Sequence, residues 1–201
     1  MPILIAAVTG YLIGSIPIGL IAGRVIGGGV DVRDFGSGKT GFTNSLRVLG
    51  LRRSLPVFLG DLIKGAVAAS LPLLYTDDPW ARAAGGLAAV IGHVWPVFAG
   101  FRGGRGVLTG AGVLLALNPL VALTVVPIAG LIVYLTKYLS LASISGAAVA
   151  ALTFVAFAAL DLHPWAYAAA AVAGSTLIIA VHRDNIGRLL SGTERKIGHR
   201  T

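Results

Sequence analysis

Apolar stretches close to the length of a bilayer crossing follow one another along almost the whole chain, and this leaves few folds open. Seven can be marked, over residues 3–23, 55–75, 82–101, 106–117, 119–135, 139–160 and 164–181. A helix needs roughly 20 mainly apolar residues to cross the hydrocarbon core, where no water can satisfy an exposed backbone group. The fourth stretch is short for a full crossing and reads as tilted or partly re-entrant. With 56% hydrophobic and 12% charged residues and a mean hydropathy of +0.86, little chain is left for a separate soluble domain. The sequence therefore predicts an all-α, polytopic integral membrane protein of about seven transmembrane helices, with residues 1–201 forming a single transmembrane domain.

The first stretch lacks a basic residue ahead of its apolar run and carries glycines and Pro17 throughout, unlike a removable signal peptide. The spacings Gly10–Gly14 and Gly19–Gly23 fit close helix packing through small residues. The absence of cysteine excludes disulfides, thiolate metal sites and cysteine nucleophiles. No histidine or carboxylate cluster points to a metal, and no cofactor is implied. Charge gives the expected orientation. Arg24, Arg33, Lys39, Arg47, Arg52 and Arg53 follow the first stretch, whereas the next loop holds Asp77, Asp78 and, at its edge, Arg82. Arg102 and Arg105, a nearly uncharged turn at Asn118, Lys137, an acidic turn at Asp161 and a basic tail continue the alternation. The positive-inside rule then places the N-terminus outside and the C-terminus in the cytoplasm, which an odd number of spans satisfies. Much of the net charge of +8 is accounted for by this topology signal and by attraction to anionic lipid headgroups. Basic residues confined to short loops, without an aromatic-interleaved face, do not suit nucleic acid.

Three polar islands interrupt the apolar pattern, all on the predicted cytoplasmic side. The largest is 31–47 (DVRDFGSGKTGFTNSLR), whose glycines expose backbone amides beside hydroxyl, amide and cationic side chains. That combination suits a phosphate or carboxylate. GSGKTG is not a complete P-loop, because Arg33 stands where the first glycine is needed and a membrane helix precedes it. The second island, 101–106 (FRGGRG), sets Arg102 and Arg105 among glycines that permit close backbone approach. The third, 182–194 (HRDNIGRLLSGTE), repeats His182, Asn185 and Arg188 at a spacing that puts them on one helical face. Lys64 lies inside the second stretch three residues after Asp61, and charge within a span is costly enough to mark function. His93 reads as a packing or supporting residue, and His163 and His199 as incidental. These features describe a site for one or two phosphates where lipid tails are also available. An enzyme of lipid metabolism and a membrane transporter of a phosphorylated small molecule both remain open at this point.

The motifs GYLIGSIPIG, DVRDFGSGKTGFTN followed by Arg47, DLIKG, GHVWPVFAGFRGGRGV and HRDNIGRLLSGTE, in this order over essentially the whole chain, resemble the bacterial acyl-phosphate:glycerol-3-phosphate acyltransferase family. The resemblance implies an integral enzyme of the bacterial inner membrane, its active site facing the cytoplasm. Such an enzyme moves a fatty acyl group from acyl phosphate to the 1-hydroxyl of sn-glycerol 3-phosphate. The products are lysophosphatidate and inorganic phosphate, in phospholipid synthesis. Acyl phosphate, glycerol 3-phosphate and membrane lipid are the implied partners, without an obligatory protein partner. Lys39 stands where the family usually has asparagine, Phe42 where it has alanine, and Arg105 where it has lysine.

Carried onto these positions, the resemblance assigns Ser37, Gly38, Thr43 and Asn44 to the acyl phosphate. Arg47, Lys64, Gly104, Arg105, His182 and Asn185 fall to glycerol 3-phosphate, with Ser37, Arg47, His182 and Asn185 as the catalytic set. A thioester-dependent His-x4-Asp motif is missing, since Phe98, Ala168 and Gly187 occupy the fifth positions after His93, His163 and His182. An acyl phosphate is already activated and needs orientation and charge stabilisation more than a strong nucleophile.

Overall fold

The computed structural model describes residues 1–197, and these contain helices and no strands. His199 lies outside the described residues. The chain divides into two compact units, residues 1–117 and the remainder from Asn118.

The first unit begins with α1 (Pro2–Gly14) and α2 (Ile18–Val25). The break between them falls at Ser15–Pro17, where proline has no amide to donate. A short α3 (Phe42–Leu49) follows the polar loop and ends at Gly50, whose φ of 77° needs a residue without Cβ. Then come α4 (Leu51–Ser70), α5 (Pro79–Val94) and α6 (Val107–Leu117). Asp78 starts α5 by accepting the Trp80 amide at 2.9 Å, with Pro79 in the first turn. Gly10 and Gly14 bring α1 against α5 so closely that a Cβ at either would strike the backbone of Gly85 or Ala89. The predicted role of that spacing in packing is thereby seen directly. In lipid, where apolar association gains little from leaving water, such close contact is what holds helices together. Arg82, expected only as an edge charge of a loop, donates to the carbonyls of Ala69 at 3.2 Å and Ala116 at 2.6 Å. It thus caps the negative C-terminal ends of α4 and α6.

The second unit contains α7 (Ala122–Thr136), α8 (Leu139–Ala159), α9 (Trp165–Ala180) and α10 (Arg183–Leu190). Thr124 and Thr153 hydroxyls meet at 3.1 Å between α7 and α8, and Ser175 donates to the Ala147 carbonyl at 2.7 Å between α9 and α8. Among its described residues α7 buries none, and Leu123, Val126, Leu131 and Leu135 stand exposed, as suits a helix meeting lipid. His163 packs among Phe154, Phe157 and Tyr167.

Four segments are long and apolar enough to cross a membrane: Pro2–Val25, Leu51–Leu74, Pro119–Thr136 and Leu139–Ala159. A fifth is added if α9 and α10, bent by 58°, count as one. The stretches 82–101 and 106–117 form shorter helices of 16 and 11 residues, because Pro96 and the glycine loop end α5 and delay α6. At about 1.5 Å per residue, α6 covers only about half of the hydrocarbon core. The chain is therefore an all-helical membrane protein whose helix lengths mark four to five spans.

Candidate active site

In the first unit the loop between α2 and α3 is built around Arg33 and around Asn44, which the resemblance assigned to the acyl phosphate. Arg33 forks onto Asp31, with Nη2 at 2.7 Å from Oδ2 and Nε at 3.0 Å from Oδ1. Its Nη1 donates to the Ala99 carbonyl at 3.1 Å. The arginine that breaks the P-loop pattern is thus a strut joining the loop to the turn after α5. The same guanidinium lowers the Asp31 carboxyl to about 2, and Asp31 in return raises Arg33. Asn44, only 2% exposed, is the hub of the loop. Its Nδ2 donates to the carbonyls of Val32 (2.7 Å), Lys39 (2.9 Å) and Phe35 (3.1 Å), and its Oδ1 accepts the Ser37 amide at 2.8 Å. With its donors engaged, Asn44 shapes the loop from within. Gly36 and Gly38 have φ values of 62° and 67°, so the two turns flanking Ser37 need glycine. Gly41 precedes α3 without any side-chain cap, so no side chain competes for the leading amides of that helix.

The glycine loop after α5 lies against this one. The Thr40 amide donates to the Gly103 carbonyl at 3.4 Å, and the Gly104 amide donates to the His93 carbonyl at 3.1 Å. Ser37, Gly38 and Thr43 are half-buried on the first loop and the start of α3, with Arg47 exposed one turn further on. Gly104 is buried and Arg105 half-buried on the second loop. Lys64 sits beneath, 6% exposed, 2.8 Å from Asp61 Oδ1 and donating to the Ile16 carbonyl at 3.1 Å. Of the predicted residues, this unit brings together those of the first two islands, and it places Lys64 behind the loops in a buried ion pair. His93, read from sequence as a supporting residue, joins that pair.

In the second unit His182 is 2% exposed, and its Nδ1 lies 2.7 Å from the Ile178 carbonyl. A carbonyl cannot donate, so Nδ1 carries the hydrogen and a neutral ring has its lone pair on Nε2. Asn185 and Arg188 share a face as the spacing predicted, and that face holds Glu194. Glu194 Oε1 accepts from Asn185 Nδ2 and from Ser140, both at 2.8 Å, and Oε2 from Arg188 Nε at 2.7 Å. Burial pushes the Glu194 carboxyl up, but these hydrogen bonds outweigh it and hold the group below its ordinary value. In the sequence Glu194 stands only as the end of the third island, with no role marked for it. A carboxylate following Asn and Arg on one helical face was the available signal.

These features define a class: a helical integral membrane protein whose paired glycine loops suit phosphorylated ligands. Residues 4–192 match the family model described as glycerol-3-phosphate acyltransferase, and the chain belongs to that family. It is 41% identical to the glycerol-3-phosphate acyltransferase of Rubrobacter xylanophilus over 96% of this chain and 94% of that protein. Identity to the enzyme of the same name from Geobacillus kaustophilus is 42%, over 93% and 92% of the two chains. The fold resembles the crystal structure of PlsY (YgiH), an integral membrane glycerol 3-phosphate acyltransferase, in its glycerol 3-phosphate form. The TM-score is 0.88 at 38% identity, covering 97% of this chain and 95% of that one. The lysophosphatidic acid form of that protein matches with a TM-score of 0.85. The chain is accordingly an acyltransferase, as the motif resemblance implied, and the transporter alternative is set aside.

Proposed function

We propose that the chain acylates the 1-hydroxyl of sn-glycerol 3-phosphate from acyl phosphate in a bacterial inner membrane. The observation that carries this is the pair of glycine loops tied together by the Thr40–Gly103 and Arg33–Ala99 hydrogen bonds. Two adjacent amide-rich loops suit a reaction that aligns two phosphate-bearing substrates. The solved relative's glycerol 3-phosphate and lysophosphatidic acid forms agree with this acceptor and product.

Ser37, Gly38 and Thr43 hold the donor headgroup on the loop that Asn44 shapes. Arg47, Gly104 and Arg105 hold the acceptor phosphate, and Lys64 orders the loops from behind. The motif resemblance adds His182 and Asn185 to the acceptor set. The acceptor hydroxyl oxygen attacks the acyl carbonyl carbon, the bond from that carbon to the phosphate oxygen breaks, and phosphate leaves. The hydroxyl proton passes to a donor phosphate oxygen. One acyltransferase domain over 1–201 is in keeping with a family match over 4–192. The alternation of basic loops supports an N-terminus outside and a site toward the cytoplasm, and the seven apolar stretches satisfy the odd number of crossings this requires.

Purified protein in detergent, given palmitoyl phosphate and glycerol 3-phosphate, is expected to release lysophosphatidate and phosphate in equal amounts. Palmitoyl-CoA in place of palmitoyl phosphate is expected to support no turnover. Comparable rates with the two donors would overturn the donor assignment and leave the acceptor intact.

A further inference from the structure

Gly104 faces a space already taken: a Cβ built on it would fall onto the imidazole Nε2 of His93. The residue singled out in the sequence as a place for ligand to approach is therefore also one that makes room for a side chain from behind. On the far side of the ring, Nδ1 lies 3.4 Å from Asp61 Oδ1, the oxygen that also meets Lys64. That separation is an electrostatic contact longer than a formed hydrogen bond, sufficient to orient the ring. Asp61, Lys64 and His93 are 1%, 6% and 5% exposed. On the near side, a Cβ on Gly41 would stand 3.9 Å from both His93 Nε2 and Gly104 Cα. The imidazole thus fills the wedge where the Gly36–Gly41 and Gly103–Gly106 loops converge, and Gly104 lies across Nε2.

A buried ion pair is weak evidence for stability, since apolar residues of the same size often serve as well. Charge inside a helical span is costly and marks a task. The contacts of His93 lead to the two loops. Building on the assignment of those loops to the two substrates, we propose that His93 is a positioning residue. Its imidazole, held by Asp61, which Lys64 in turn fixes, sets the separation of the glycine loops and hence the alignment of donor carbonyl and acceptor hydroxyl.

The test is a suppressor pair. Gly104→Ala forces a methyl group into the ring and is expected to lower kcat/KM by about a hundredfold, the scale of a small misplacement of reacting groups. His93→Ala alone removes the spacer. It is expected to lower kcat about tenfold with smaller changes in either KM, because binding survives while alignment is lost. In the double variant the alanine at 93 vacates the space that the methyl needs, so its activity is expected to exceed that of Gly104→Ala by roughly tenfold. If Gly104→Ala does not accumulate as folded protein, recovery of its yield and melting temperature by His93→Ala reads the same collision. A double variant no better than Gly104→Ala overturns the proposal, because glycine 104 then serves the ligand alone. So does a His93→Ala enzyme that loses melting temperature while keeping kcat. The assay uses whichever donor supports turnover of the unaltered enzyme, so failure of the acyl-phosphate assignment leaves this test intact.

Discussion

Replacing Asn44 by alanine should inactivate the enzyme while leaving its helices folded. The side chain makes four hydrogen bonds, one accepted from the Ser37 amide and three donated to the carbonyls of Val32, Phe35 and Lys39. Nδ2 has only two hydrogens, so one is shared, and about three full bonds are lost. At about 1 kcal/mol net for each neutral bond, the closed loop loses about 3 kcal/mol. A tenfold shift in population corresponds to about 1.4 kcal/mol, so the closed-to-open ratio falls by roughly a hundredfold, and a loop that is only marginally closed becomes one closed in about 1% of molecules. Turnover should fall by about a hundredfold, measured as kcat/KM for glycerol 3-phosphate per mole of monodisperse protein in detergent. The melting temperature should move by only a few degrees, since the loop contributes little to the contacts between long helices. Asn44→Asp makes the reasoning sharper. The carboxylate still accepts from Ser37 but turns an oxygen toward carbonyls that need a donor, so it should be at least as damaging as alanine. An alanine variant within threefold of the unaltered kcat/KM for both substrates would refute the claim that Asn44 shapes the cradle.

Arg105→Ala should chiefly raise the KM for glycerol 3-phosphate, by roughly ten- to a hundredfold for one charge-assisted hydrogen bond, because this ligand has no tail to anchor it. Ser37→Ala should instead depress kcat more than donor KM, and steady-state kinetics with each substrate varied separates the two; an Arg105 effect confined to the donor contradicts the assignment. Glu194→Gln tests the second unit through pH. The folded carboxyl lies below its ordinary value of 4.5, so its stabilisation is complete above that value and is lost as pH falls through the folded one. The unaltered protein should melt higher than Glu194→Gln at neutral pH, with the gap closing in acid; an equal gap at both ends contradicts the clamp.

The apolar stretches determined an all-helical membrane protein without any reference to contacts, because a chain in lipid must satisfy its backbone within each segment. The separated motifs were legible for the same local reason. Glycine 36 and glycine 38 declare turns, and several such strings in one order mark the family. Local composition does not carry partner choice. Asn44 read as a ligand and Arg33 as a loop charge, and only folding showed Arg33 spent on Asp31 and Ala99, and Asn44 on its own loop. Arg82 read as a loop charge until the ends of α4 and α6 came to surround it. Hydropathy alone carries the third stretch through Pro96 to residue 101, whereas α5 ends at Val94; the short fourth stretch, 106–117, was legible in the sequence and is α6. Glu194, distant in sequence from Ser140, gained its role only when α8 and α10 met over it. His93 shows the limit most plainly. Its two ring nitrogens face Asp61 on α4 and Gly104 on a loop eleven residues further on. A side chain's neighbours across space are set by packing, and a linear pattern of residue types records only its neighbours along the chain.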